Sequence, residues 1–201
     1  PIENSLGNLY AYMTQLLGFS DSGEGKFMGL AAYGSVHKES LCSFDSRTES
    51  VKIRYNIIQS YKKHARLPYE EIRKVHKDIA ATPQHNFQET IFSIVKHYAK
   101  IHAQKNVVMA GGVALNCLTN GRIKQEGYNV YVPNFMGDAG VSLGAALETF
   151  SNIKSCYCLN IKEANFGFKY YIKPSLLRRL IDCKITNLDY KIIADDLAKN
   201  K

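Results

Sequence analysis

"VVMAGGVALNC", residues 107–117, is an apolar run that stops on two adjacent glycines, Gly111 and Gly112, and continues as a small-residue, helix-compatible stretch. The same design returns in "VYVPNFMGDAGVSLGAAL", residues 130–147, where an apolar strand meets a turn holding Gly137 and Asp138 before a helix rich in small residues. The surrounding periodicity predicts a helix over 86–103, a strand over 106–110, a helix over 113–125, a strand over 128–132 and a helix over 138–149. That order dictates crossover units with parallel strands, so the expected fold class is α/β, a mixed sheet flanked by helices.

In open α/β sheets a ligand sits beyond the carboxyl ends of the strands, where backbone N–H groups at the next helix face an anion. Paired glycines permit that approach because no Cβ stands in the way. The stretch is neither GxxxxGK[ST] nor GxGxxG, so the P-loop and the dinucleotide fingerprint are both missing. Ordinary readings exist beside the functional one: a tight turn for Gly111 and Gly112, local hydrogen bonds for Asn116, and an N-cap for Asp138. The alternative for Asp138 is a carboxylate ligand for a divalent metal riding on nucleotide phosphates.

Working outward, residues 5–18 carry Leu6, Leu9, Tyr10, Met13, Leu16 and Leu17 at amphipathic-helix spacing, with Gly18 as the stop. A polar turn leads to "KFMGLAAYG", a short helix that Gly34 terminates. Residues 38–60 alternate as strands do, and "YEEIRKVHKDIAA" between Pro68 and Pro83 reads as a separate helix. Residues 35–84 are expected to form an insertion or flexible subregion. Beyond 150, residues 157–171 read as extended and 174–182 and 188–199 as helical.

With 201 residues, 45% of them hydrophobic, the chain can build one good core or two small ones. It has no run of 18 apolar residues and no charged start before an apolar h-region, so neither a membrane span nor a signal peptide is supported and a cytoplasmic setting is expected. Five cysteines without a CxxC pair support neither a disulfide framework nor a zinc site. The six histidines are expected at the surface or in packing; His97 and His102 stand about 140° apart around a helix and cannot share a ligand. The formal charge of +8 favours anionic ligands. A basic nucleic-acid-binding module is one alternative function, but the basic residues are dispersed and lack aromatic interleaving. A non-catalytic interaction domain is another. Because the chain opens on Pro1 and runs almost at once into helical periodicity, it is expected to be a piece of a longer protein.

"GEGKFMGLAAYG" (23–34), "AGGVALNCLTNGRI" (110–123) and "GDAGVSLGAALE" (137–148), in this order, resemble the ATP-dependent O-carbamoyltransferases, the nodulation-factor and antibiotic carbamoyltransferases among them. "SLGNLYAYMTQLLGF" is similar to the helix that precedes the first of these motifs. The family's first domain is similar to the tRNA threonylcarbamoyl-adenosine synthase subunit, an actin-like/sugar-kinase-like ATPase fold whose two lobes close on ATP. The resemblance makes residues 1–150 its second lobe and 151–201 a connecting segment with helices that leads to a YrdC-like domain.

The resemblance implies that carbamoyl phosphate and ATP yield carbamoyl-adenylate, from which the carbamoyl group passes to a hydroxyl of a small-molecule acceptor. The parent would be an O-carbamoyltransferase needing the rest of its polypeptide, and this chain alone would be inactive. Carried over by position, Gly111 and Gly112 become nucleotide-phosphate contacts, Asn116 a polar contact to the adenylate, Asp138 a metal ligand, and Gly7 a glycine near the ribose. Glu24 and Lys26 become substrate or phosphate contacts, with a solvated polar turn as their ordinary reading. The family's metal, Fe or Mn, is also held by an HxxxH pair, which this chain lacks.

Overall fold

The computed structural model describes residues 4–153. Helix α1, Leu6–Leu16, starts where the Ser5 hydroxyl accepts from Asn8 N–H and carries the core residues Leu9, Tyr10 and Met13. Helix α2, Glu24–Ala31, buries Phe27, Leu30 and Ala31. Strands β1, Cys42–Asp45, and β2, Ser50–Ile53, pair antiparallel from Cys42 opposite Ile53 to Asp45 opposite Ser50. The alternation expected over 38–60 holds only as far as Ile53, because Tyr55–Ser60 turn into a short helix, α3, whose Ile58 enters the core.

The largest departure from the sequence reading lies at Pro83. One helix, α4, runs from Lys74 to Ile101 with Pro83 inside it, where two helices separated by that proline were expected, and residues 69–73 stay outside it. A proline inside a helix removes a backbone hydrogen bond at a cost of about 3 kcal/mol. Here Ile79, Ala80, Ala81, Thr82, Gln84 and Phe87 are buried on both sides of a fully buried Pro83, so tertiary burial outweighs that loss. Helix α4 packs against α1, α2 and β1 and is the axis of the core. Gly34 lies so close to it that a Cβ there would strike the Lys77 carbonyl.

The crossover unit forms as expected. Strands β3, Asn106–Val108, and β4, Asn129–Tyr131, pair in parallel in the register Asn106 with Asn129 and Val108 with Tyr131. Helix α5, Cys117–Gln125, connects them and packs on α4. Val130 packs against the core and Val107 is half-buried, while Val108 and Tyr131 are 71% and 63% exposed. The strands are shorter than expected, and among the described residues they form two separate two-stranded sheets, where one mixed sheet was expected. The β1–β2 hairpin closes on itself through Arg54 N–H to Leu41 O and packs on α4. The chain is thus mixed α/β with small sheets.

Helix α6, Val141–Ile153, follows a 3-10 turn at Asp138–Gly140. No described helix is long and apolar enough to cross a membrane. The extended and helical segments expected after residue 153, and Cys156, Cys158 and Cys183, lie outside the described residues. Of the described cysteines, Cys42 is buried and Cys117 exposed, and both are free thiols. Histidines follow the packing expectation: His76 is fully buried, and His97 sits against Phe44 and Glu49.

Candidate functional site

The two strand ends are tied together by backbone. Met109 N–H donates to Tyr131 O at 2.9 Å, and Gly111 N–H donates across to Met136 O at 2.6 Å. This stitches the turn after β3 to the turn after β4. Gly112 and Asp138 therefore line one cavity of about 610 Å³, within the range of small-molecule sites. Gly7 and Tyr10 of α1, Ser22 before α2, Glu24, Gly25 and Met28 of α2, Phe87 of α4, and Val113, Leu115 and Asn116 complete the wall.

The adjacent glycines divide their work. Gly111 has φ 86° and ψ 170°, a conformation that essentially only glycine adopts, and its N–H is engaged by Met136. Gly112 opens the 3-10 turn Gly112–Leu115 and lines the cavity, and a Cβ there would meet nothing within 4 Å. At the start of that turn the N–H groups of Gly112 and Val113 have no acceptor among the described residues. The expected single helix from 113 is broken at Asn116, which ends the turn and caps α5.

Asn116 is 7% exposed and its side chain is engaged from several directions. Its Oδ1 accepts from Thr119 N–H and Thr119 Oγ1, both at 3.0 Å, and from Gln84 Nε2 at 3.1 Å, while its Nδ2 donates to Gln84 Oε1 at 3.0 Å. Tyr10 hydroxyl donates to the same Gln84 oxygen at 2.6 Å. Burial pushes the Tyr10 phenol well above its ordinary range, with the Asn116 hydrogen bond opposing and the Glu24 charge adding, so it stays a neutral donor. The Tyr10 ring is held between Phe27 and Phe87, with centroids at 5.0 and 4.9 Å.

Asp138 is the first residue of the 3-10 turn Asp138–Gly140, whose N-cap position belongs to Gly137. Neither Asp138 nor Glu24 has a side-chain hydrogen bond or ion pair among the described residues, and both line the cavity. Gly7 lines it too. Lys26 is exposed and stands away from the lining, as does Gly111, whose part is to set the turn.

Sequence reasoning passed over Tyr10, Gln84, Met28 and Phe87. A signal existed for Tyr10, one turn after Gly7 on the same helix face. None existed for Gln84, whose role depends on a helix that runs through a proline.

A metal is implied by the resemblance, and the described residues do not make a site for one. They hold no group of three or more His, Cys, Asp or Glu placed to bind a cation. Asp138 is one carboxylate, where hard cations want several oxygen ligands.

Comparison with known proteins adds the chemistry. The family model described as "Carbamoyltransferase N-terminus" matches residues 1–147. The chain is 31% identical over 159 residues to "Nodulation protein NolNO" of Sinorhizobium fredii, a match covering 73% of this chain and 23% of that protein. It is 30% identical over 167 residues to "Nodulation protein NolO" of Bradyrhizobium diazoefficiens, covering 76% and 30%. An uncharacterized protein of Methanocaldococcus jannaschii is 30% identical over 203 residues, covering 94% and 37%. The chain therefore spans about a quarter to a third of the length of these curated relatives.

Proposed function

The chain belongs to the carbamoyltransferase family through its N-terminal region, and on that premise we propose that residues 1–150 are the nucleotide-binding second lobe of an actin-like ATPase domain. The parent enzyme uses carbamoyl phosphate and ATP, by way of carbamoyl-adenylate, to carbamoylate a hydroxyl of a small-molecule acceptor. Residues 151–201 connect this lobe to a YrdC-like domain, and the lobe alone does not turn over.

The observation that carries this reading is the cavity at the strand ends, lined both by Gly112 and Val113, whose N–H groups are unengaged among the described residues, and by the apolar Met28 and Phe87. The N–H pair suits the phosphate of an adenylate, since oriented backbone donors at a turn's start favour an anion. The apolar wall suits its base, and Gly7 leaves room beside the ribose. In transfer, the acceptor oxygen bonds to the carbamoyl carbon as that carbon's bond to the phosphate oxygen breaks, the hydroxyl proton passes to a base outside the described residues, and the same donors hold the phosphate that departs as AMP. Iron or manganese belongs to this reading only with ligands from outside the described residues, and no step is assigned to it.

The test is calorimetric titration of a non-hydrolysable ATP analogue, with and without Mn²⁺, against the chain and its Gly112→Val and Asp138→Ala variants. Binding by the chain that both variants alter supports the assignment; variants that bind as the unaltered chain does remove it. Tight RNA binding with a steep salt slope would favour a nucleic-acid module instead.

A further inference from the structure

Gln84 is 4% exposed and lies behind the cavity wall, not in it. It nevertheless bonds to two residues that do line the cavity, Tyr10 from α1 and Asn116 from the turn after β3. Its Oε1 accepts from both and its Nε2 donates back to Asn116, so a single amide on α4 joins three separate elements.

Asn116 in turn fixes the donors. Its backbone N–H closes the 3-10 turn on Val113 O at 3.1 Å, and its side chain caps α5 at Thr119. Asn120 Nδ2 holds the same turn at Ala114 O, 2.7 Å. On the cavity side, where Gly112 and Val113 line the wall, their N–H groups have no acceptor among the described residues.

We propose that Gln84 is a positioning residue for the phosphate-binding turn: without touching the ligand, it sets the orientation of the Gly112 and Val113 donors through Asn116 and seats Tyr10 on the cavity floor. Because the polar atoms of Tyr10 and Asn116 are both engaged by Gln84, the floor offers a ligand little more than ring edges. Polar selectivity is confined to the rim, at Gly112, Val113, Glu24 and Asp138. This inference rests on the nucleotide reading for its ligand, and on geometry alone for the positioning.

The experiment uses the whole chain and compares Gln84→Met, which keeps length and removes both polar atoms, with Tyr10→Phe, which removes one hydroxyl. Ile58→Val, a core change in α3 remote from the cavity, serves as the stability control. Two quantities are read: the dissociation constant of a non-hydrolysable ATP analogue and amide hydrogen exchange at Gly112–Thr119. Gln84→Met is expected to weaken binding about 10-fold, as losing a buried hydrogen-bond partner does, and to speed exchange across 112–119. Tyr10→Phe gives a smaller effect in the same direction, and Ile58→Val moves neither quantity. Should Gln84→Met fail to fold, Tyr10→Phe decides. Unchanged affinity and unchanged exchange overturn the proposal. An unaltered chain that binds no analogue sinks the nucleotide reading instead, and exchange alone then decides the positioning role.

Discussion

The sharpest prediction separates the two glycines that the sequence places side by side. Gly111→Ala puts a Cβ on a residue at φ 86°, ψ 170°, at a cost of about 1–3 kcal/mol. For a domain of this size that lowers Tm by roughly 3–10 °C, and it also disturbs the 2.6 Å bond to Met136 that ties the strand ends together. Gly112→Ala is different: its backbone is not in the left-handed region and the added methyl meets open space, so Tm should stay within about 2 °C of the unaltered chain. The methyl instead stands on the cavity lining beside unengaged N–H groups, and losing one charge-assisted hydrogen bond there weakens ATP-analogue binding by about 10-fold or more. Differential scanning calorimetry and titration calorimetry on both variants measure the split. Equal destabilisation by the two alanines, or analogue binding by Gly112→Ala at unaltered strength, refutes the division of labour.

Three further outcomes follow from named contacts. Gly34→Ala drives a methyl into the Lys77 carbonyl on α4 and should cost about 1–3 kcal/mol by denaturant melt, without a specific effect on the cavity. His76 accepts the Arg73 N–H through Nδ1 at 3.1 Å, and burial, then the Arg73 and Arg66 charges, hold its pKa below the ordinary value, so the folded state requires a neutral ring. The unfolded chain takes up a proton near pH 6.5 that the folded chain refuses until lower pH; stability from this group is therefore complete above about pH 7 and falls as pH drops below about 6.5. Thermal melts from pH 7.5 to 5 check the slope, which His76→Gln should flatten. Asp138→Asn should leave Tm unchanged, since the carboxylate has no partner among the described residues, yet strengthen analogue binding a few-fold in chelator by removing a like charge beside the phosphates. An Asp138→Asn titration in EDTA that matches the unaltered chain removes Asp138 from the site.

Much of this architecture is written locally. The parallel unit 106–131 was legible because each strand is a short apolar run closed by glycine and followed by helical spacing, and α1 because six apolar residues fall on one face. Pro83 misled because a local rule, the lost hydrogen bond, met a long-range fact, that the helix on both sides of it is buried by α1, α2 and β1. The same limit governs the site. Gly7, Gly112, Asn116, Glu24 and Asp138 were nameable from motifs and do line one cavity. Lys26 was nameable by the same motif and does not, because its helical phase turns it to solvent. Gln84 was invisible, since an amide 32 residues from Asn116 and 74 from Tyr10 acquires meaning only once α4 lies between them.

The central claim is that the cavity at the paired strand ends holds an ATP-type nucleotide. A crystal structure of the chain grown with a non-hydrolysable ATP analogue tests it most directly. The account predicts phosphate oxygens within hydrogen-bond reach of the Gly112 and Val113 N–H groups and the base against Met28 and Phe87. An analogue bound elsewhere on the chain, with this cavity vacant, would contradict it.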